Sequence, residues 1–464
     1  MILKHLFEDS LAQSAYLIGC AASREALVVD PTVDIGRYVE AAAAEGLRIT
    51  GVAETHIHAD FVSGARALAA ATGATLYVSG EGGPDWQYAF AGEPGVRVIR
   101  HGDTIDLGNI RVDVVHTPGH TPEHLMFLVT DTMSSPVALG ALTGDFLFVG
   151  DVGRPDLLET AAGQKGTMEA GARTLFASLR GLQTLPDHLV VWPGHGSGSA
   201  CGKSLGGVPV SSLGYERLAN WALRERAEAP FVGTVLEDQP DPPLYFGEMK
   251  RVNKVGAPGW SASPALPPLD AAAVDAAVRE RGIVVDVRAA GTSGYLPGSS
   301  AIPMGRSFSG WAGSVVPSGT PFAIAATDAG EAETTRRALA LIGRTDAIGW
   351  IAPAAIAAYA AAGGRLETLE TLDDAREGQT LIDVRTTAEW RSGHLDGAIH
   401  VPLARLAERA GRLDRSAPLL VYCQAGARSA VAATALRRLG FRTVASLRGG
   451  FDAYRKRADN TVRA

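Results

Sequence analysis

The sequence predicts an α/β protein in which a layered domain is followed by two smaller parallel-sheet domains. Residues 1–250 alternate short β-rich runs such as ALVVD with alanine-rich helical segments, and most histidines fall in the loops between them. This alternation is typical of α/β folds, in which functional groups lie on loops at strand ends. The rest of the chain repeats one strand–loop–strand–loop–helix pattern, which favours two small parallel sheets.

Length, charge and cysteine content narrow the class of protein. A chain of 464 residues suggests about three domains, because single cores rarely grow past ~250 residues. The 50 acidic and 43 basic residues form no block of like charge, which argues against nucleic acid or a membrane as the main partner. We find no signal peptide and no apolar run near the ~20 residues of a membrane span. Three widely spaced cysteines favour reduced thiols and a cytoplasmic location.

An internal repeat sets the predicted domain organisation. VVDVR at 284–288 matches LIDVR at 381–385, and the similarity continues through the segments that follow, at a spacing of 97–99 residues. A stretch rich in proline, glycine and serine precedes the first copy and predicts a linker. The expected boundaries are 1–250 for the layered domain, 251–268 for the linker, 269–365 for the first copy and 366–464 for the second.

Four loops of the first domain present histidine, aspartate and glycine in a fixed order. Prolines and glycines keep these residues out of helices, so each side chain can be aimed independently. Any one histidine could be an ordinary hydrogen-bonded or surface residue, but imidazole and carboxylate groups together are typical metal ligands. The pattern therefore predicts a metal site. Its residues are His56, His58 and Asp60 in THIHADF, His120 in HTPGH, Asp145 in TGDF, and His195 in PGHG.

The order of these motifs resembles the metallo-β-lactamase fold, which implies an αββα sandwich over residues 1–250. ETHIHADFVSG, HTPGHTPEH, TGDFLFVGDVGRPDL and PGHGSGSACGKSLG are more similar still to persulfide dioxygenases, especially the bacterial enzymes fused to rhodanese domains that act in sulfide detoxification. The resemblance implies one Fe(II) per chain, bound by His56, His120 and Asp145, with open positions for a thiolate sulfur and O₂. Iron follows from the resemblance, because zinc generally binds such ligands more tightly than ferrous iron.

Phe61 stands where the two-zinc hydrolases of this fold carry a metal-binding histidine. A second ion would be left with Asp60, His195 and a shared Asp145, which favours a mononuclear site. The alternative is that Phe61 merely packs and that His195 compensates for the missing ligand.

Several further residues of this domain are candidates for supporting roles. His58, Asp60 and His195 are predicted to orient ligands or handle protons. Arg154 is a candidate to hold a carboxylate or phosphate of the substrate, with a structural salt bridge as the alternative. Cys201 is predicted either to receive or relay sulfur near the metal or to be a small buried cysteine.

The segment CQAGARS begins at Cys423, directly after the apolar strand PLLVY. Backbone N–H groups converge in such a loop, and the following helix adds its positive end, which together stabilise a thiolate and a bound sulfane sulfur. The pattern C-x-x-G-x-R resembles rhodaneses over about residues 370–460. It implies that Cys423 carries a persulfide and that Arg428 stabilises the loop or attracts an anionic donor. The other residues of the persulfide loop are Gln424, Ala425, Gly426, Ala427 and Ser429.

The first copy of the repeat lacks this chemistry. Thr327 stands at the cysteine position and Ala332 at the arginine position. We expect the domain to be catalytically inert and to act as a spacer or docking surface.

These features predict a fused enzyme of sulfur metabolism. The persulfide of a low-molecular-weight thiol and O₂ would give sulfite and thiol at the metal, and Cys423 would exchange sulfur with sulfite or thiosulfate in either direction. The sequence leaves the carrier thiol open and is compatible with a homo-oligomer. The alternatives are a zinc-dependent thioester hydrolase of the glyoxalase II type and a non-enzymatic persulfide carrier.

Overall fold

The computed structural model describes residues 1–160, 166–203, 205–280, 282–288 and 294–462. The chain divides into two compact units, Met1–Ser261 and Ala262–Ala464. Each unit is described separately below. Within the described ranges, none of the helices combines the length and the apolar character that crossing a bilayer requires.

Two six-stranded sheets form the centre of the first unit. The strands of the first sheet are β1 (Ile2–Glu8), β2 (Gln13–Cys20), β3 (Glu25–Val29), β4 (Arg48–Ala53), β5 (Thr75–Ser79) and β6 (Val96–Ile99). The strands of the second sheet are β7 (Thr104–Leu107), β8 (Ile110–His116), β9 (Leu125–Asp131), β10 (Gly140–Gly144), β11 (Val190–Pro193) and β12 (Ser211–Ser212). Both sheets keep the strands in sequence order and mix antiparallel with parallel pairs.

Within the residues that the structure describes, eight α-helices accompany these sheets. They are α1 (Gly36–Ala44), α2 (Ala65–Thr72), α3 (Leu157–Thr160), α4 (Met168–Gly181), α5 (Leu213–Ala219), α6 (Trp221–Arg224), α7 (Glu228–Leu236) and α8 (Tyr245–Val255). Strand β2 is covered on both faces. All of its residues are buried, and successive side chains point to opposite sides of the sheet. Tyr16 and Ile18 enter the core between the sheets, whereas Ala15 and Leu17 pack with residues of α1 and α2. A third core joins the second sheet to α4 and α7. The predicted αββα sandwich is confirmed.

The second unit contains two sheets in which all pairs are parallel. The strands of the first are β13 (Ile283–Asp286), β14 (Ser299–Ala301), β15 (Phe322–Ala325) and β16 (Ala347–Ile351). Those of the second are β17 (Glu370–Leu372), β18 (Thr380–Asp383), β19 (Ile399–His400), β20 (Leu419–Tyr422) and β21 (Val444–Leu447). The order β14-β13-β15-β16 matches the order β19-β18-β20-β21, and β17 is added at one edge of the second sheet. The internal repeat of the sequence is therefore a repeat of topology.

The helices of the second unit follow the same alternation. They are α9 (Ala271–Arg279), α10 (Phe308–Val315), α11 (Ala329–Ala340), α12 (Pro353–Ala361), α13 (Thr387–Arg391), α14 (Leu406–Arg409), α15 (Ala427–Arg438) and α16 (Gly450–Val462). The repeated DVR motif is a buried ion pair in both copies. Arg288 binds Asp286 through Nε and Nη2 at 2.9 and 2.7 Å, and Arg385 binds Asp383 in the same way.

The predicted linker is helical over its first residues. Helix α8 runs to Val255 and buries the side chain of Asn253. The amide of Asn253 donates to the carbonyls of His58 and Phe61 and accepts from the Ser63 backbone. Residues 251–255 therefore belong to the first unit, and the start predicted for the linker at 251 is wrong.

Candidate metal centre and sulfur loop

Three side chains converge at the ends of the central strands of the first unit. His56 follows β4, His120 follows β8, and Asp145 directly follows β10. All three are buried, and each offers a ligand atom within 4.8 Å of the other two. His56 Nε2 lies 4.0 Å and His120 Nε2 lies 3.7 Å from Asp145 Oδ2. These separations are too long for hydrogen bonds and suit ligands that share one ion.

Hydrogen bonds to the other ring nitrogens orient both histidines. Thr55 Oγ1 donates its proton to Asp30 Oδ2 at 2.8 Å, so it accepts from His56 Nδ1 at 2.9 Å. The backbone carbonyl of Arg154 accepts from His120 Nδ1 at 3.0 Å. Both Nε2 lone pairs therefore face Asp145, as metal ligation requires. Burial also lowers the pKa of both imidazoles, which favours the neutral ligand form.

Asp145 leaves one carboxylate oxygen for an ion. Its Oδ1 accepts from His195 Nδ1 at 2.8 Å, whereas its buried Oδ2 makes no hydrogen bond with any described residue. His195 Nε2 in turn donates to Asp60 Oδ2 at 2.8 Å. Burial opposes charge on His195, but Asp145 and Asp60 raise its pKa well above the usual value. A buried carboxylate oxygen without a partner is costly, so the site fits a cation bound there.

Two glycines allow the backbone to approach Asp145 closely. A Cβ at Gly153 would lie 1.7 Å from the Asp145 carbonyl oxygen, and a Cβ at Gly194 would lie 2.5 Å from Asp145 Oδ1. Neither position can hold a larger residue unless the loop moves. The glycines of the GDVGRPD and PGHG motifs therefore have a direct geometric role.

His58 and Phe61 lie beside the converging ligands. The ring of Phe61 is fully buried and packs against His58, with centroids 4.4 Å apart. His58 Nε2 lies 3.1 Å from Asp30 Oδ1. Burial opposes charge on His58, but Asp30 and the nearby carboxylates raise its pKa to about 9. His58 is thus engaged with Asp30.

Asp30 and His124 contact the site, but they were not predicted from the sequence as site residues. Asp30 accepts from the backbone and hydroxyl of Thr55 and also contacts His58. His124 Nε2 accepts from the Asp145 backbone at 3.1 Å, and its other ring nitrogen bonds Thr117. An aspartate at the end of an apolar run, as in ALVVD, was the available signal for Asp30. The four-residue spacing from His120 was the signal for His124.

The Arg154 side chain makes the structural salt bridge that the sequence left as the alternative to substrate binding. Its guanidinium is buried, and Nε and Nη2 bind Asp156 at 2.8 and 2.6 Å. Its Nη1 donates to the carbonyls of Ala200 and Pro240. Each nitrogen of the guanidinium therefore has a protein acceptor. Arg154 still supports the centre through its backbone carbonyl on His120.

Cys201 lies beside the second carboxylate of the site. Its Sγ, Asp60 and His195 offer ligand atoms within 4.8 Å of one another, and all three side chains are buried. Burial, followed by the charges of Asp60 and Asp145, raises the pKa of the Cys201 thiol well above its usual value. In this environment the thiol stays protonated.

The rhodanese-type loop holds Cys423 at the end of β20. The thiol is buried, and Gly426 N donates to Cys423 Sγ at 3.1 Å. The thiol lies 3.7 Å from Ser429 Oγ. Gly426 has a φ of +103°, which lets the loop turn before α15 begins at Ala427. The sulfur therefore lies against a backbone donor at the start of a helix.

The Arg428 side chain is paired with a glutamate at this loop. Its Nη1 and Nη2 bind the two carboxylate oxygens of Glu389 at 2.7 and 2.5 Å. Glu389 also accepts from the backbone and hydroxyl of Thr386, as the capping box of α13. Arg385 joins the loop by donating to Gln424 Oε1 at 3.0 Å. Glu389 and Arg385 were not predicted as site residues, although they lie in the LIDVRTTAEW segment of the resemblance.

In the middle copy, a glutamate binds the residue at the cysteine position. The carboxylate of Glu331 accepts from Thr327 N at 2.6 Å and from Thr327 Oγ1 at 2.7 Å. Helix α11 begins at Ala329 with Asp328 as its N-cap, two positions earlier than α15 begins relative to Cys423. The segment equivalent to the persulfide loop is therefore helical.

The αββα sandwich with imidazoles and a carboxylate at its strand ends defines a metal-binding member of a known fold class. A family model described as the Metallo-beta-lactamase superfamily matches residues 9–195, and a model described as a Rhodanese-like domain matches residues 367–457. The chain belongs to the metallo-beta-lactamase superfamily and carries a rhodanese-like domain. The family model identifies one rhodanese-like domain, where the sequence predicted two.

The chain is similar to proteins named as a persulfide dioxygenase and as a hydroxyacylglutathione hydrolase. "Persulfide dioxygenase ETHE1, mitochondrial" of Bos taurus is 29% identical over 225 residues, covering 47% of this chain and 75% of the relative. A hydroxyacylglutathione hydrolase of Rhodospirillum rubrum is 31% identical over 185 residues, covering 39% of this chain and 60% of the relative. A crystal structure of a metallo-beta-lactamase from Staphylococcus aureus has a TM-score of 0.69 and 38% identity, covering 76% of this chain and 99% of that one.

Proposed function

We propose that the first unit is an Fe(II)-dependent persulfide dioxygenase and that residues 366–464 are a sulfurtransferase that exchanges sulfur with its product. The observation that carries the proposal is the convergence of two neutral imidazoles and one unpartnered carboxylate oxygen, from His56, His120 and Asp145. Two imidazoles and one carboxylate are the facial triad of non-haem Fe(II) oxygenases. Similarity to named persulfide dioxygenases supports the same assignment.

One ferrous ion bound by these residues would supply activation of O₂ and a position for the persulfide sulfur. The balanced reaction is RSS⁻ + O₂ + H₂O → RSH + SO₃²⁻ + H⁺. Asp60 and Asp145 flank the protonated ring of His195, which holds Asp145 so that Oδ2 faces the histidines. His195 therefore positions the ligand oxygen and keeps one proton at Nε2, shared with Asp60. The apolar ring of Phe61 packs against His58 beside the ligands.

In the sulfurtransferase, Cys423 would carry the sulfane sulfur. Transfer to sulfite is balanced as Cys–S–S⁻ + SO₃²⁻ → Cys–S⁻ + S₂O₃²⁻, and the reverse loads the cysteine from thiosulfate. Gly426 N supports the negative sulfur, and Arg428, fixed by Glu389, adds positive charge at the loop. Residues 269–365 would be a degenerate rhodanese-like domain, because Thr327 and Ala332 replace the cysteine and the arginine and Thr327 is bound by Glu331.

Oxygen uptake with glutathione persulfide, measured together with metal content, tests this function. We expect iron-loaded protein to consume O₂ and form sulfite, and His56→Ala to lose both. His188→Ala is the matched control, because His188 is an exposed histidine of the same unit. The His56→Ala variant should still transfer sulfur through Cys423. Zinc-loaded protein that cleaves a glutathione thioester without O₂ would establish the hydrolase instead, and loading of Cys423 without turnover would establish a carrier.

A further inference from the structure

The metal loop, residues 54–64 between β4 and α2, is held by a side chain of helix α8. Asn253 of α8 is 2% exposed, and its Nδ2 donates to the carbonyls of His58 and Phe61 at 2.8 and 2.7 Å. Its Oδ1 accepts from Ser63 N at 2.9 Å. One side-chain amide therefore satisfies three backbone groups of a buried loop, where unpaired backbone groups are costly.

Other parts of the chain hold the two ends of this stretch of the metal loop. Ile57 N donates to Glu123 Oε1 at 2.9 Å, and Gly64 N donates to the Pro31 carbonyl at 2.8 Å. The three backbone groups that Asn253 binds lie between these two points. Fixing them removes conformational freedom that a segment anchored at its ends would keep. Asn253 therefore determines the path of the loop from residue 58 to residue 63.

A chain of hydrogen bonds joins this stretch to a proposed metal ligand. Asp60 lies in the middle of the stretch, and its Oδ2 accepts from His195 Nε2 at 2.8 Å. His195 Nδ1 in turn donates to Asp145 Oδ1 at 2.8 Å. Asp145 Oδ2 is the oxygen left for an ion. A shift of residues 58–63 would therefore move a ligand oxygen through two hydrogen bonds.

The contacts of Asn253 require an amide at this position. Two carbonyl oxygens need donors and one backbone N–H needs an acceptor, and the side chain of asparagine provides both. Aspartate has the same shape, but its ionised carboxylate accepts only and would place a negative charge against two carbonyl oxygens. Alanine removes all three hydrogen bonds without adding a charge.

We propose that Asn253 is a positioning residue for the metal centre, because it sets the shape of the metal loop and, through Asp60, the direction of the ligand oxygen. The inference rests on the metal centre of the proposed function, but it does not depend on the reaction that the centre performs. Helix α8 thereby becomes part of the centre, although it lies outside the residues 9–195 that match the metallo-beta-lactamase model.

Anaerobic titration of metal-free protein with Co²⁺, in competition with a chromogenic chelator, tests the role of Asn253. We expect Asn253→Asp and Asn253→Ala each to bind Co²⁺ at least about tenfold more weakly than the parent. The visible absorption of cobalt at saturating metal should also change, because the position of the ligand oxygen changes. Asn253→Ala keeps the test valid where the charge of Asn253→Asp prevents folding.

Two variants of the same helix serve as controls. Met249 is buried in α8, so Met249→Ala should lower the melting temperature but keep the Co²⁺ affinity and spectrum. Arg251 is exposed, so Arg251→Ala should change none of these. Parental affinity and spectrum in folded Asn253→Ala would overturn the inference, as would an equal loss of affinity in Met249→Ala. A parent that binds no Co²⁺ would overturn the proposed metal centre as well.

Discussion

The hydroxyl of Thr55 donates a 2.8 Å hydrogen bond to Asp30 Oδ2. Because that hydroxyl has one proton, it must accept from His56 Nδ1, which leaves the Nε2 lone pair of His56 for a metal. The relationship fixes the tautomer of a proposed ligand through two residues that never touch the ion. We therefore expect the metal affinity of the proposed centre to depend on this hydroxyl.

Replacing Thr55 with valine tests this dependence. Valine keeps the shape of the side chain and removes the acceptor for His56, so we expect metal affinity to fall about 10- to 100-fold. Competition with a chromogenic chelator measures it. Thr55→Ser is the matched control and should bind metal within about threefold of the parent, since it keeps the hydroxyl. Equal affinities for the valine and serine variants would contradict the role of the hydroxyl.

Replacing Arg154 with lysine should destabilise the first unit without changing substrate recognition. Lysine cannot bind Asp156 through two nitrogens and also reach the carbonyls that accept from the guanidinium. Breaking a buried pair costs about 3–5 kcal/mol of unfolding free energy. Calorimetric unfolding of the variant, with the exposed Arg224→Lys as control, measures this loss. An unchanged unfolding transition of the Arg154→Lys variant, together with a raised KM for persulfide, would instead support a role of Arg154 in substrate binding.

Introducing a cysteine at Thr327 should not create a second sulfur carrier. The Glu331 carboxylate already binds the backbone and side chain of residue 327, and the following residues are helical. In a Cys423→Ser background we expect Thr327→Cys to take no sulfane sulfur from thiosulfate, as measured by release with cyanide. Stoichiometric loading of that variant would show that the middle loop is competent.

The Glu389–Arg428 pair should make the second unit sensitive to acid. Burial opposes charge on Glu389, but hydrogen bonds from Arg428 and Thr386 lower its pKa to about 2. A carboxylate with a depressed pKa contributes stability above its unfolded pKa of about 4.5, and this contribution is lost as pH falls through about 2. Glu389→Gln should lower the melting temperature of this unit by about 2–4 °C at pH 6, which corresponds to about 1 kcal/mol.

The difference between Glu389→Gln and the parent should shrink between pH 5 and pH 2. Scanning calorimetry of both proteins across this range measures it. Asp452→Asn is a suitable control, because Asp452 also contacts the loop, through Gln424, but lies outside the arginine pair. A difference that stays constant with pH would show that the pair does not titrate as described.

Much of the fold was predictable because its signals are local in the sequence. His56, His120 and Asp145 each follow a strand. The order of strands and motifs in the sequence therefore predicted that these three side chains lie at strand ends on one edge of the site. The DVR repeat predicted two related sheets, and the structure explains it as a buried ion pair in each copy.

Other features depend on contacts that the sequence does not encode locally. The partners of Arg154 include carbonyls of residues 200 and 240, and no spacing predicts that these approach the same guanidinium. Helix α8 was not predicted, because segments rich in proline and glycine flank it. Its apolar residues Tyr245, Phe246 and Met249 nevertheless have helical spacing. The contact between Glu331 and Thr327 was not predicted, because the sequence of this loop shows only that the cysteine and the arginine are absent.

The ratio of O₂ consumed to sulfite formed, measured on protein loaded separately with Fe(II) and with Zn(II), tests the central claim most directly. We expect one O₂ per sulfite in the Cys423→Ser variant loaded with one Fe(II), because sulfite cannot pass to thiosulfate there, and no O₂ uptake with zinc. Persulfide turnover by the zinc form without O₂, or iron-loaded protein that consumes no O₂, would contradict the account.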